Sequence, residues 1–329
     1  MEVEMKLPVL GIDIAKHSYQ VSLRIGKKIE RHEFVNEPEH FRELSAWLQQ
    51  HKVKRCQACM EATNRYWEEL ATYLYAQGHG VSVVNPSRIR DYARSKLLRN
   101  KTDKLDADLI ADFCVTQAPD AWQPLSPEIQ ELQALMRHWD DLKALRSEVH
   151  ARLSNGNPSA SVHQMLTQHL AFLDQQLAEL KKQIESHIDQ HPGLKQQRDL
   201  LVSIPGIGDL TAAKLLGENI QAFSSTRALA AYAGLNPQHK LSGTSIHYRP
   251  RLSKIGNSHL RKALYFPAIN AKRFNPIIRT FCERLHQHDK HKMTIIGAAM
   301  RKLLSLCLGV LKSGVPFDPN YQSQALLLP

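Results

Sequence analysis

The stretch PVLGIDI, residues 8–14, decides the reading of this chain, because a carboxylate, Asp13, stands inside an otherwise apolar strand. A charge there is costly unless something pairs with it. Residues 19–25, YQVSLRI, carry the alternation of a second strand, and a third apolar alternation runs from Ile29 to Val35. Pro38 opens a helical pattern through Phe41, Leu44, Trp47 and Leu48. A short strand near Cys56–Glu61 follows, then a helix near Arg65–Ala76 stopped by Gly78 and Gly80. Val81, Val83 and Val84 form another strand before Pro86, and a helix from about Asp103 to Thr116 closes the series. Antiparallel strands first, then alternating helices and strands, predict an α/β domain.

Three more carboxylates join Asp13. Glu61 ends the strand CQACME, and Asp103 and Asp106, in NKTDKLDAD, lie three apart at a helix start and so share one face. Helix phase favours Asp106 over its neighbour Asp108, which points away from Asp103. Four such groups could meet at one end of the sheet. Clustered carboxylates repel unless a cation sits among them, and hard oxygen ligands suit Mg²⁺. Two such ions, about 4 Å apart, would clamp a phosphodiester for in-line displacement. The bland reading makes Asp103 and Asp106 part of a capping box and Glu61 a cap for the helix after it. Asp13 is the hardest of the four to explain that way.

The chain has 329 residues, enough for two or three domains with at least one real core. No apolar run approaches the roughly 20 residues of a membrane-spanning helix. The opening MEVEMKLPVLGIDIAK lacks the basic, apolar and small-residue order of a signal peptide, so a cytoplasmic protein is expected. Five cysteines argue against a disulfide framework. Cys56 and Cys59 form a CxxC with no second pair at zinc spacing, and read as residues of a buried strand. The net charge of +11 is unevenly placed: Asp209 to the end holds 17 Lys and Arg against 5 Asp and Glu. Lys240 to Arg273 has eight basic residues and no acidic one. Such a concentration is the footprint of a polyanion partner, DNA or RNA alike, or else a merely solvated basic face.

Between these regions, Leu132, Leu135, Trp139, Leu142, Val149 and Leu153 follow heptad spacing, broken at Arg146. After NGNPSAS (155–161) the spacing resumes with Leu166, Leu170, Leu173, Leu177, Leu180 and Ile184. Two such helices joined by a Gly/Pro/Ser turn predict an antiparallel hairpin or coiled coil, a spacer or oligomerisation arm that pairs with another protomer. Residues 201–216, LVSIPGIGDLTAAKLL, read as a helix-hairpin-helix. Gly206 and Gly208 would let the backbone approach a phosphate, with the next helix N-terminus donating to it. A tight packing turn is the alternative. The basic run that follows offers Lys240, Arg249, Arg251, Lys254, Arg261 and Lys262 to backbone phosphates. Ser242, in LSG, has a glycine neighbour that gives it steric access, and nearby cations to stabilise phosphate charge. Ser245, Ser253 and Ser258 compete with it.

Taken together, GIDIAK, MEAT, NKTDKLDAD, SIPGIG, AYAGLNP, LSGTS, LSKIGNSHLRKALY and MRKLLSLCLGVLKSGVPFD resemble the insertion-sequence 110, or DEDD, family of transposases. These stretches span nearly the whole chain in family order. The resemblance implies a RuvC-like domain of ribonuclease H fold over residues 1–122 and a coiled-coil linker over 123–195. A mostly α transposase domain with the helix-hairpin-helix would cover 196–315; from the sequence itself, 316–329, with Pro316, Pro319 and Pro329, reads as a weakly ordered tail. The family's four acidic residues fall on Asp13, Glu61, Asp103 and Asp106, and its nucleophilic serine on Ser242. Mg²⁺ dependence, a homodimer or homotetramer, donor and target DNA, and a structured guide RNA from the element are further implications. A hydrolytic junction-resolving nuclease using the same carboxylates, and a non-enzymatic nucleic-acid-binding protein, are the rival readings.

Overall fold

The computed structural model describes residues 7–62, 64–96, 103–156, 159–238, 241–242, 246–247 and 251–320, with backbone only at 103–105, 241–242 and 246–247. It falls into two compact units, one ending at Pro124 and one beginning at Leu125.

The first unit runs β1 (Val9–Ile14), β2 (Ser18–Ile25), β3 (Lys28–Val35), α1 (Phe41–Gln50), β4 (Gln57–Glu61), α2 (Glu68–Ala76), β5 (Gly80–Val84), α3 (Pro86–Ser95) and α4 (Asp103–Gln117). The strands form one five-stranded sheet in the order β3-β2-β1-β4-β5. β1–β2 and β2–β3 are antiparallel, whereas β1–β4 and β4–β5 are parallel. This mixed α/β sheet is consistent with a ribonuclease-H-like domain.

Alternation sorts each strand between two layers. Leu10, Ile12, Tyr19, Val21, Leu23, Ala58 and Met60 pack with Phe41, Leu44 and Leu48 of α1 and Leu70, Ala71 and Leu74 of α2. On the other face Val9, Cys59 and Val84 pack with Ile89 of α3 and Leu109, Ile110, Phe113 and Cys114 of α4. The alternation does not foretell α3, which buries only Ile89. Its signals are local: Asn85 accepts from the Ser87 amide at 2.9 Å, and Pro86 occupies the first turn.

The second unit is helical. α5 (Pro127–Asn155) and α6 (Ala160–Gln190) are antiparallel, since the His187 ring meets the Glu128 carbonyl while Arg146 binds Asp174. After them come α7 (Pro192–Val202), α8 (Asp209–Gly217) and α9 (Thr226–Tyr232). Four two-residue strands follow, β6 (Pro237–Gln238), β7 (Leu241–Ser242), β8 (Ile246–His247) and β9 (Arg251–Leu252). The chain continues as α10 (Ser258–Ala263), α11 (Tyr265–Phe274), α12 (Pro276–Gln287) and α13 (Lys292–Ser313). Leu132, Met136, Trp139, Leu180 and Ile184 of the long hairpin belong to the same hydrophobic core as the helices after it. Phe317 packs against that core, and its amide donates to Ser203 Oγ at 2.8 Å.

By length and composition alone α13 could cross a membrane, with mean hydropathy 1.6 over its most apolar window, although Arg301 and Lys302 divide its apolar run. It is the only such helix among the described residues, and half of that window is buried inside the fold. Ile295, Ala299, Met300, Leu303, Leu304, Cys307 and Leu308 supply that buried side, so the apolarity is spent on the core.

Candidate functional site

Asp13 lies near the C-terminal end of β1, and Glu61 is the last residue of β4. The parallel register pairs Gly11 with Cys59 and Ile12 with Met60, so its continuation sets Glu61 beside Asp13. Both share the sheet face of Gly11 and Cys59. That face carries α4: a Cβ on Gly11 would lie 2.3 Å from the Ala107 carbonyl oxygen and 2.4 Å from the Ala111 nitrogen. Only glycine allows the helix to cross β1 so closely.

Two carboxylates fix the direction of α4. Asp108 accepts from Ser22 Oγ at 2.6 Å, level with Gly11, and Asp112 accepts from Arg24 at 2.8 Å, level with Val9. α4 therefore runs antiparallel to β1, and its first turn, with Asp103 and Asp106, lies toward the Asp13 end. Asp13, Glu61 and Asp106 are each half-buried. The backbone thus sets all four positions toward one end of the sheet. Among the described residues, no three acidic, His or Cys side chains form a ready metal cage. The Asp103 side chain lies outside the described residues.

The partners of α4 were not legible in the sequence. Asp108 is also held by Arg31, with Nε at 3.0 Å and Nη2 at 2.6 Å. Burial alone would raise its pKa, but the hydrogen bonds from Arg31 and Ser22 carry it below the usual carboxylate range. Asp112 accepts in addition from Tyr92 Oη at 2.7 Å and Lys96 at 2.9 Å. There too burial opposes, and Tyr92, Arg24 and Lys96 win, holding the pKa at about 2. A signal existed: Ser22 and Arg24 are the polar positions of a strand whose other face is wholly apolar. Cys56 and Cys59 are buried on opposite faces of the sheet, Cys56 near His79 and Cys59 hydrogen-bonded to Cys114.

In the second unit, the PGIG turn (205–208) joins α7 to α8 and is braced from behind. Gly206 has φ +108°, and a Cβ there would meet Ala271 of α11 at 2.8 Å. Asn275 Nδ2 donates to the Pro205 carbonyl at 3.4 Å. Gly206 therefore serves packing. Gly208, the N-cap of α8, faces open space, and a Cβ added to it would meet nothing within 4 Å.

Arg251, Lys254 and Lys262 are exposed, as phosphate contacts require. Arg261 is not free in that sense: its Nη1 donates to the Ala233 carbonyl at 3.0 Å. Lys240 and Arg249 lie outside the described residues. Ser242 is placed by its backbone in β7, paired with Ile246 of β8.

A transposase family model of the DEDD IS110 type matches residues 10–156, and one described as the transposase IS116/IS110/IS902 family matches residues 198–283. The pilin gene-inverting protein of Moraxella bovis is 35% identical over 321 residues, covering 95% of this chain and 98% of its own length. The protein of the same name from Moraxella lacunata matches equally, at 35% over 321 residues. The transposase for insertion sequence element IS1328 of Yersinia enterocolitica is 25% identical, over 78% of this chain and 81% of its own.

Proposed function

This chain belongs to the IS110 family of transposases and is a DNA-cleaving and joining enzyme, and from that premise we propose that it recombines DNA through a serine-linked intermediate. Two observations support the reading: the register that sets Glu61 beside Asp13, and the direction of α4, whose first turn with Asp103 and Asp106 lies toward the same end of the sheet. A divalent metal is the family's expected requirement, and the donor set suits Mg²⁺, because every candidate ligand is a hard carboxylate oxygen. Asp13, Glu61, Asp103 and Asp106 would hold it, and when bound it would neutralise charge on the scissile phosphate.

The Ser242 hydroxyl attacks the phosphorus. A Ser242 Oγ–P bond forms as the bond to the leaving strand oxygen breaks, and that oxygen departs as a hydroxyl carrying the serine proton. The hydroxyl of the partner strand then attacks the phosphoserine, joins to phosphorus and returns a proton to Ser242. One phosphodiester replaces another, so no nucleotide cofactor is consumed. Arg251, Lys254 and Lys262 contact backbone phosphates, with Lys240 and Arg249 beside Ser242 in sequence. Gly208 admits a phosphate to the α8 N-terminus.

The near-full-length likeness to pilin gene-inverting proteins supports donor and target DNA, exchanged by inversion or transposition, as the substrates. The basic segment suits a structured guide RNA from the element as well. Val162, Met165 and Phe172 of α6 and Leu145 of α5 are exposed apolar residues on the long hairpin, which supports pairing with another protomer as a homodimer or homotetramer.

The test mixes the protein, its co-purifying RNA, MgCl₂ and end-labelled element DNA before a denaturing gel. A labelled band at protein mass, absent with Ser242→Ala, is expected. Cut DNA with no such band in the wild type would point instead to hydrolysis by water.

A further inference from the structure

Between α9 and α10 two described segments, 232–238 and 251–257, meet at a tightly built crossing point. β6 pairs with β9 at its base, Pro237 with Leu252 and Gln238 with Arg251, and the β7–β8 pair bearing Ser242 is nested inside. Leu252 is seated on α13, where a Cβ on Gly297 would meet its Cδ1 at 3.2 Å. Below the base, the Ser253 amide donates to the Asn236 carbonyl at 2.9 Å and the Lys254 amide to the Gly234 carbonyl at 3.2 Å. The Asn257 amide donates to the Tyr232 carbonyl at 2.6 Å.

Side chains lock the crossing. Asn257 Nδ2 donates to Glu218 Oε2 at 2.6 Å and to Tyr232 Oη at 2.9 Å, while its Oδ1 accepts from the Leu260 amide and caps α10. Arg261 Nη1 reaches the Ala233 carbonyl. The approach is so close that glycine is required on both strands. Gly234 has φ +67° and would put a Cβ 2.5 Å from Arg261 Nη1; Gly256 has φ +130° and would put one 2.2 Å from the Tyr232 carbonyl oxygen. Three elements, α8 through Glu218, α9 and α10, thus converge on one asparagine. Bonds of this kind to a charged acceptor are among the stronger ones.

We propose that this crossing is a clamp that sets the position of the Ser242 hairpin, with Asn257, Glu218 and Arg261 as positioning residues for strand cleavage. The proposal rests on Ser242 as nucleophile. It reassigns Arg261, which spends its guanidinium on the Ala233 carbonyl.

The test uses the full-length protein with its co-purifying nucleic acid and MgCl₂. Asn257→Asp keeps the acceptor for the Leu260 amide but sets a carboxylate against Glu218. Combining it with Glu218→Gln restores a donor–acceptor pair with the roles reversed. Three quantities are read: hydrogen exchange at the Ser253 and Lys254 amides, the rate of DNA cutting, and DNA affinity.

In Asn257→Asp, exchange at both amides rises about tenfold or more while amides in α13 are unchanged, and cutting slows by a similar factor. Affinity stays within about twofold of the wild type, since no phosphate contact is removed. The double variant recovers both exchange and cutting. Raised exchange with undiminished cutting would overturn the proposal, as would affinity falling in step with the rate, or a double variant no better than the single. Ser242→Ala, run alongside, separates the two ideas. If it cuts at the wild-type rate with normal exchange, the serine reading fails, and the clamp is judged on the exchange, rate and rescue of the 257 and 218 variants alone.

Discussion

The Arg31 guanidinium grips the Asp108 carboxylate side-on, with Nε 3.0 and 3.1 Å from its two oxygens and Nη2 at 2.6 Å, so that β3 holds α4 directly. Asp108 sits two residues beyond Asp106, and Ser22 of the neighbouring strand adds a further donor at 2.6 Å. The carboxylate nearest in sequence to the candidate ligands is therefore committed to holding their helix.

Asp108→Ala removes this fastening. Its loss is expected to lower the unfolding free energy by about 1–2 kcal/mol in a urea titration, the range for a partly exposed charged hydrogen-bond set. DNA cutting should fall by more than DNA affinity, because Asp106 loses its support. A variant of wild-type stability and rate would show that α4 is held adequately without Arg31.

Asp112 makes a pH prediction. Its pKa is held at about 2, below the ordinary carboxylate value, by Tyr92, Arg24 and Lys96 against the opposing effect of burial. A depressed folded-state pKa contributes stability that is complete above the ordinary carboxylate range and is lost as pH falls toward about 2. Thermal melts taken from neutral to acid pH should show the wild type losing more Tm than Asp112→Asn, so the gap between them narrows. Parallel curves would exclude the linkage.

The two glycines of the PGIG turn should separate cleanly. Gly206→Ala combines a positive φ with a 2.8 Å approach to Ala271, and loses about 2 kcal/mol or more of stability. Gly208→Ala faces open space at φ −105°, so its chemical-denaturation midpoint should be nearly unchanged. A methyl there obstructs a phosphate approaching α8, and DNA affinity should drop several-fold. Unaltered affinity in a folded Gly208→Ala protein would leave the turn with a packing role only.

All five cysteines are buried and unpaired. Burial pushes the Cys56 thiol up to about 12, and the hydrogen bond with Cys114, together with burial, raises that of Cys59. Thiolate is the reactive form, so the native protein should resist a thiol reagent that titrates five groups after denaturation. Rapid labelling of Cys56 or Cys59 in the native state would contradict the buried-strand reading of the CxxC.

The sheet was readable because strand alternation has a period of two and β1, β2 and β4 each present one wholly apolar face. Asp13 stood out for the same reason. α3 was missed because a helix that buries only Ile89 leaves no periodic trace, and its start lies in Asn85 and Pro86 alone. The two-residue strands β6 to β9 are too short for any periodicity. The PGIG turn was legible as a turn, but its glycines look alike in sequence. Their division into one packed against Ala271 and one open to solvent depends on a helix that comes some sixty residues later.

The sequence by itself determined the five strands of the sheet, the helices that carry an apolar stripe, and their order, since local propensity and apolar spacing are properties of neighbouring residues. It also marked Asp13, Glu61, Asp103 and Asp106, because charges at strand ends and helix starts break those patterns. Only the tertiary structure decided what each polar group is bound to. Asp108 faces Arg31 across 77 residues, and Asn257 faces Glu218 across 39. Hydrogen bonds at such separations depend on where the packed layers bring two side chains, and neither partner carries that information in its own surroundings along the chain.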